Sequence, residues 1–231
     1  MANAFHYSIG KKFLQAISGA FLVIFMLLHA TVNFFSVIDS LNGNFGLSDG
    51  LFAKGCEFMS LPIVTIMVPV LALGFIIHIG YGIYLTWYNI KARGGYKRYE
   101  VASKAAADSW SAKNMFVLGI VILGVLFFHL THFWAHMQLE EFTGGIAADP
   151  YLLLTTTFGS VPVLVIYIVW FVAVWLHLSH GFWSMLQTIG WNNDIWLKRF
   201  KVLGILVASL IFLMFVSVAV NAYLQAHGII G

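Results

Sequence analysis

Four short stretches decide how this chain is read: Phe25-Met26-Leu27-Leu28-His29, Phe75-Ile76-Ile77-His78, Leu126-Phe127-Phe128-His129 and Val174-Trp175-Leu176-His177. Each places one imidazole deep inside an apolar run. An ionisable ring in hydrocarbon is costly, so such residues are functional candidates. Their surroundings set the class of the protein. Of 231 residues, 61% are hydrophobic and 9% charged, and the mean hydropathy is +0.89. Soluble domains carry about 25% charged residues, so the solvent for most of this chain is lipid. An all-α membrane protein follows, because a spanning segment must satisfy its own backbone hydrogen bonds.

Five apolar runs reach the roughly 20 residues that a membrane helix needs. They lie at about 13–38, 62–90, 114–138, 160–189 and 202–226, in a single membrane domain over 1–231. The run from Phe13 to Ile38 exceeds the roughly 7–15 residues of a signal-peptide core, so it is expected to stay as the first span. Lys and Arg gather on the cytoplasmic side of membrane proteins. Of the 12 basic residues, only Lys54 falls on the side away from the N-terminus. The expectation is a multi-pass protein of the cytoplasmic membrane, N-terminus inside and C-terminus outside. The net charge of +3 is therefore a topology signal and not a nucleic-acid footprint. The single Cys56 offers neither a disulfide nor metal-ligand spacing.

Depth follows from the helical rise of about 1.5 Å per residue. His29 lies 17 residues beyond Lys12, and His129 lies 16 beyond Lys113. Those two match in the outer half. His78 is 13 residues before Lys91, and His177 is 13 before Gly190, which matches them in the inner half. Imidazoles facing each other at one level are how a helix bundle holds a haem. The reading is thus a five-helix bundle holding two b haems, with His29 and His129 as one iron-ligand pair and His78 and His177 as the other. With both axial positions filled by protein, such centres carry electrons. Gly19, Gly80, Gly82, Gly119, Gly124 and Gly181 near these ligands suit close approach of a porphyrin, and equally suit helix packing. His132 and His136 follow His129 at i+3 and i+7 as alternative ligands, quinone contacts, proton carriers or interfacial residues; a wet outer position is expected for His136, and His132 stays open. His180 lies about one turn beyond His177. His6 and His227 lie near the chain ends.

At these segments the chain resembles the transmembrane di-haem cytochrome b subunit of succinate dehydrogenases and quinol:fumarate reductases, in its single-chain, five-helix form. The resembling stretches are Phe25 to Asn33, His78-Ile79-Gly80-Tyr81-Gly82-Ile83-Tyr84, Leu126 to Leu130, and His177-Leu178-Ser179-His180-Gly181-Phe182-Trp183-Ser184. The resemblance implies an electron-transfer anchor that passes electrons between a quinone and an iron–sulfur subunit through the two haems. Menaquinone is expected ahead of ubiquinone. It implies a flavoprotein, which carries the dicarboxylate chemistry, and an iron–sulfur protein on the basic cytoplasmic rim, in complexes that can pair as dimers of heterotrimers. The family's Gln 14 residues before the first ligand, a contact of the inner haem propionate, is Gln15 here. Ser18, Trp110, Lys113 and Ser184 are further propionate candidates by chemistry and level. For proton transfer at an outer quinone site the candidate is Glu57, with Asp49 second. Where some family members carry a proton-conducting Glu two residues before the fourth ligand, this chain has Trp175, so that route is not expected. Rival readings are a haem subunit of a hydrogenase or formate dehydrogenase, a histidine-lined transporter without haem, and a passive anchor.

Overall fold

The computed structural model describes residues 8–92, 94–95, 110–191 and 193–230. Five long helices are apolar enough to cross a membrane: α1 (Ser8–Leu41), α3 (Pro62–Ala92), α4 (Trp110–His129) with its continuation, α7 (Val161–Ile189) and α8 (Asp194–Ala226). Two short helices, α2 (Leu51–Met59) and α6 (Pro150–Phe158), precede α3 and α7. No strand occurs among the described residues. Among the described residues the protein is all-α, with five helices of the length and apolarity of a multi-pass membrane protein. His6 and the loop charges Arg93, Lys97, Arg98 and Lys104 lie outside the described residues.

The apolar surface shows why these helices need lipid. Ile24, Ile63, Ile76, Phe127 and Leu213 are all exposed, and α3 has no fully buried residue. In water that would be an unsolvated face, whereas in hydrocarbon it costs nothing. α8 begins at Asp194 rather than near 202 because Asn193 caps it, its side-chain oxygen accepting the Trp196 N–H at 2.9 Å. A capping Asn satisfies one of the unpaired donors of the first turn.

After His129 the third span widens into a π-helical segment, π1 (Leu130–Leu139), followed by α5 (Glu140–Thr143). Gly144 ends it with φ +80°, a left-handed conformation that glycine adopts without steric cost. A π-turn changes the angular step per residue, and such segments concentrate at functional sites.

The chain divides into two compact units, and each contains one histidine pair. The first comprises Met1–Phe25, Pro69–Ile120 and Leu176–Ala208. Within it, an added Cβ at Gly204 would stand 3.1 Å from Phe182, so α7 and α8 approach closely there. The second comprises Met26–Val68, Val121–Trp175 and Ser209–Gly231. Its core holds Ala30, Tyr167, Ile211, Ala219 and Ala222, none more than 1% exposed. Small residues at such positions let membrane helices pack backbone to backbone.

Candidate functional site

In the first unit, α3 and α7 bring His78 and His177 together, with ring centroids 6.2 Å apart and planes at 72°. The polar side of this site comes from α1. Ser18, which is buried, puts its Oγ 3.3 Å from His78 Nδ1. The Gln15 amide nitrogen lies 3.4 Å from Nδ1 and 3.5 Å from Nε2. Gln15 Oε1 and His177 Nδ1 are buried and have no hydrogen-bond partner among the described residues. Gly19 faces the same imidazole, where a Cβ would stand 3.3 Å from His78 Cε1. On α7, His180 packs edge-on against Trp183 at 4.8 Å, and Lys201 Nζ lies 4.7 Å from the Trp183 ring centroid.

In the second unit, α1 and α4 bring His29 and His129 together, with centroids 5.8 Å apart and planes at 86°. Here the walls are aromatic. Around His129 stand Phe133 at 5.2 Å, Trp170 at 5.6 Å and Tyr167 at 6.3 Å. Phe215 lies 5.7 Å from His29. Trp170 is fixed by its Nε1–H, which donates to the Ile122 carbonyl at 3.2 Å. Asn33 Nδ2 donates to the His29 carbonyl at 2.8 Å and reaches His29 Nδ1 only at 3.5 Å. His129 Nδ1 is buried and has no hydrogen-bond partner among the described residues.

Both spacings suit a metal ion held between two imidazoles. A metal–nitrogen bond is about 2 Å and a ring nitrogen is about 1.1 Å from its centroid, so rings in line through one ion stand about 6 Å apart. No group of three or more His, Cys, Asp or Glu able to hold a metal occurs among the described residues. An ion held by these pairs would therefore need its remaining ligands from outside the protein, as a porphyrin supplies them. The donor set fits haem and does not fit a tetrahedral zinc site, which takes four ligands.

The other sequence candidates fall in different places. Ser184 is half-buried on α7, and Trp110 and Lys113 lie exposed in the first turn of α4. Glu57 is exposed on α2, and Asp49 is exposed in the turn before it. Trp175, where a proton-conducting acid is absent, donates its indole N–H to Ser209 Oγ at 3.0 Å. His132 and His136 follow the π geometry rather than one α-helical face. His132 Nδ1 sits 3.2 Å from the Tyr167 hydroxyl, while the His136 side chain is exposed and its carbonyl accepts the Ala148 N–H at 3.0 Å. His227 Nδ1 pairs with the Tyr223 carbonyl at 2.9 Å.

Two features escaped the sequence reading. Asp39, fully buried, accepts the N–H groups of Leu51 at 2.8 Å and Phe52 at 2.7 Å and the Tyr151 hydroxyl at 2.7 Å. It thereby caps α2 from a distance and ties α6 to α1. The signal was Gly50, a capping position with no side chain of its own, which requires an acceptor from elsewhere. Burial, with help from the Asp39 hydrogen bond, raises the Tyr151 phenol above its ordinary range. Nearby, burial and then Asp149 push the Cys56 thiol up to about 12. The second feature is Tyr167. A lone hydroxyl in an apolar run needs a partner, and His132 provides it.

Comparison with protein-family models, curated proteins and solved structures found no match.

Proposed function

We propose that this chain is a membrane electron-transfer subunit that binds two b haems. His78 and His177 hold one iron, and His29 and His129 hold the other. The observation that carries the reading is the meeting of two imidazole pairs, at 6.2 and 5.8 Å. Bound haem supplies a one-electron iron centre. The protein's part would be to hold each iron through its two imidazoles and to bury the centres among apolar side chains that tune their potentials.

The resemblance to di-haem cytochrome b subunits extends this proposal to a succinate:quinone oxidoreductase. The N-terminus would lie in the cytoplasm, and a flavoprotein and an iron–sulfur protein would dock on the basic rim. Quinone, with menaquinone ahead of ubiquinone, would exchange electrons with the haems. An exposed carboxylate such as Glu57 could take the proton released on quinol oxidation. Succinate or fumarate chemistry would stay on the flavoprotein.

The test is a dithionite-reduced minus oxidised spectrum of the purified complex with haem quantitation per chain. Two b haems per chain are expected, and a protein without b-type absorbance overturns the proposal. Identification of co-purified subunits by mass tests the extension. A flavoprotein and an iron–sulfur protein support it, whereas hydrogenase or formate dehydrogenase subunits redirect it.

A further inference from the structure

We propose that Ser18 is a positioning residue for His78: its hydroxyl oxygen accepts the His78 Nδ1–H and so holds the imidazole in the tautomer whose Nε2 is bare and free to bind a metal. The proposal deepens the haem reading above and rests on it for the identity of that metal.

The argument is one of proton bookkeeping. A serine hydroxyl has one hydrogen to give and lone pairs to receive. Ser18 Oγ lies 3.1 Å from the Gln15 carbonyl oxygen, a group that can only accept, and we assign the hydroxyl hydrogen to this shorter contact. The same oxygen lies 3.3 Å from His78 Nδ1. With its hydrogen used, it can only accept at that contact, and the hydrogen between them belongs to Nδ1. A neutral imidazole carries one N–H, so Nε2 presents a lone pair.

The Gln15 amide nitrogen stands 3.4 Å from Nδ1 and 3.5 Å from Nε2, so it does not distinguish the two ring nitrogens. Gly19 completes the seat. A Cβ there would stand 3.3 Å from His78 Cε1 and 3.6 Å from Nδ1, so the missing side chain lets this ring edge lie against α1. The pair is asymmetric, because His177 Nδ1 has no such partner among the described residues.

An acceptor on the distal N–H of a ligating histidine fixes its orientation and raises its basicity. That favours the oxidised iron, so removing the acceptor should raise the potential. The experiment is a spectroelectrochemical titration of the purified complex and its Ser18→Ala and Ser18→Thr variants. In Ser18→Ala, the reduced-to-oxidised ratio at fixed potential should rise about tenfold at one centre, an upward shift of about 59 mV for a one-electron couple. That centre is the one that His78→Ala removes. The other centre should not move, and Ser18→Thr should restore the native value. Two loaded haems with unchanged potentials in Ser18→Ala overturn the proposal. Should Ser18→Ala shed its haem, Ser18→Thr decides: loading at the native potential supports the assignment, and loss of that haem overturns it. Nitrogen-15 shifts of His78 in haem-free protein read the tautomer independently of the haem. A protonated Nδ1 that becomes mixed in Ser18→Ala is expected even if no haem binds. A protonated Nε2 in the native chain overturns the assignment while leaving the haem proposal to its own spectrum.

Discussion

The two histidine pairs have nearly the same spacing and very different walls. His78 is steered by side chains of α1: Ser18 and Gln15 reach its ring nitrogens, and Gly19 makes room for its edge. His129 is instead boxed by Phe133, Tyr167 and Trp170, with no hydrogen-bond partner at Nδ1 among the described residues. The first site orients His78 by hydrogen bonds, and the second orients His129 by packing, with Asn33 beside His29. The lesson is that one ligand geometry can be reached by two physical routes, and the routes should tune a bound metal differently. More hydrogen bonding to the ligand raises its basicity, whereas an apolar wall lowers the local dielectric.

The largest effect should come from breaking each pair at its ligands. His78→Ala and His177→Ala should each lose about half of the bound haem, with matching residual spectra, because an iron centre with one axial histidine is poorly held. His29→Ala and His129→Ala should match each other and leave the complementary spectrum. Haem quantitation and reduced spectra of the four variants check this. Matching spectra for His78→Ala and His129→Ala would break the comparison at its root.

Next in size is Asp39, which anchors the unit of the aromatic site. Asp39→Ala strips the acceptor from Leu51 N, Phe52 N and the Tyr151 hydroxyl in a buried place. Hydrogen bonds to a charged group and orphaned donors each count, so the loss should reach about 3 kcal/mol or more. Tyr151→Phe removes one of the three and should cost about 1.5 kcal/mol. Thermal unfolding in detergent, followed by helical circular dichroism, measures both. If the aromatic site depends on packing as argued, Asp39→Ala should release the haem at His29 and His129 before the other.

The same region sets an alkaline limit. The Cys56 thiol is raised from 9.0 to about 12 by burial and Asp149, and the Tyr151 phenol is raised as well. A group whose folded pKa is raised stabilises fully below its unfolded pKa and loses that contribution as pH climbs through the folded value. Stability should therefore hold up to about pH 9 and fall between about 9 and 12. Cys56→Ala should flatten part of that slope. At pH 8, alkylation of Cys56 in the folded protein should run at least about tenfold slower than in unfolded chain, because the thiolate is the reactive form. Labelling rates at the two conditions decide it.

What could be read in advance follows from which forces are local. Hydropathy and the position of each histidine along its span depend only on the local chain, so the five apolar helices and the two histidine pairings were legible in it. Side-chain partners across helices depend on rotation, which depth leaves open. Ser18 was expected at the inner site by its level, and the structure shows its hydroxyl beside His78 Nδ1, a contact that depth alone does not give. His132 and His136 illustrate the same point. A wet outer position was expected for His136, which is exposed, whereas His132 was left open and meets Tyr167 within π1. Asp39 was read as the end of a span, because a carboxylate that caps a helix 12 residues away leaves no local pattern.

The smallest effect expected is the finest probe of the aromatic wall. Trp170 is 9% exposed, and its indole N–H is held by the Ile122 carbonyl on the helix that carries His129. Trp170→Phe keeps an aromatic ring against His129 and removes that hydrogen bond, so stability should fall by about 1 kcal/mol. Haem content should stay at its native value, because neither ligand is touched. The change should show in the spectrum of the His29–His129 centre alone, since the ring packed beside that ligand becomes smaller and freer. A shift at the other centre would mean that Trp170 acts through the bundle as a whole. No shift at either would mean that packing around His129 does not tune its metal, and the contrast between a hydrogen-bonded site and a packed one would reduce to Ser18 and Gln15.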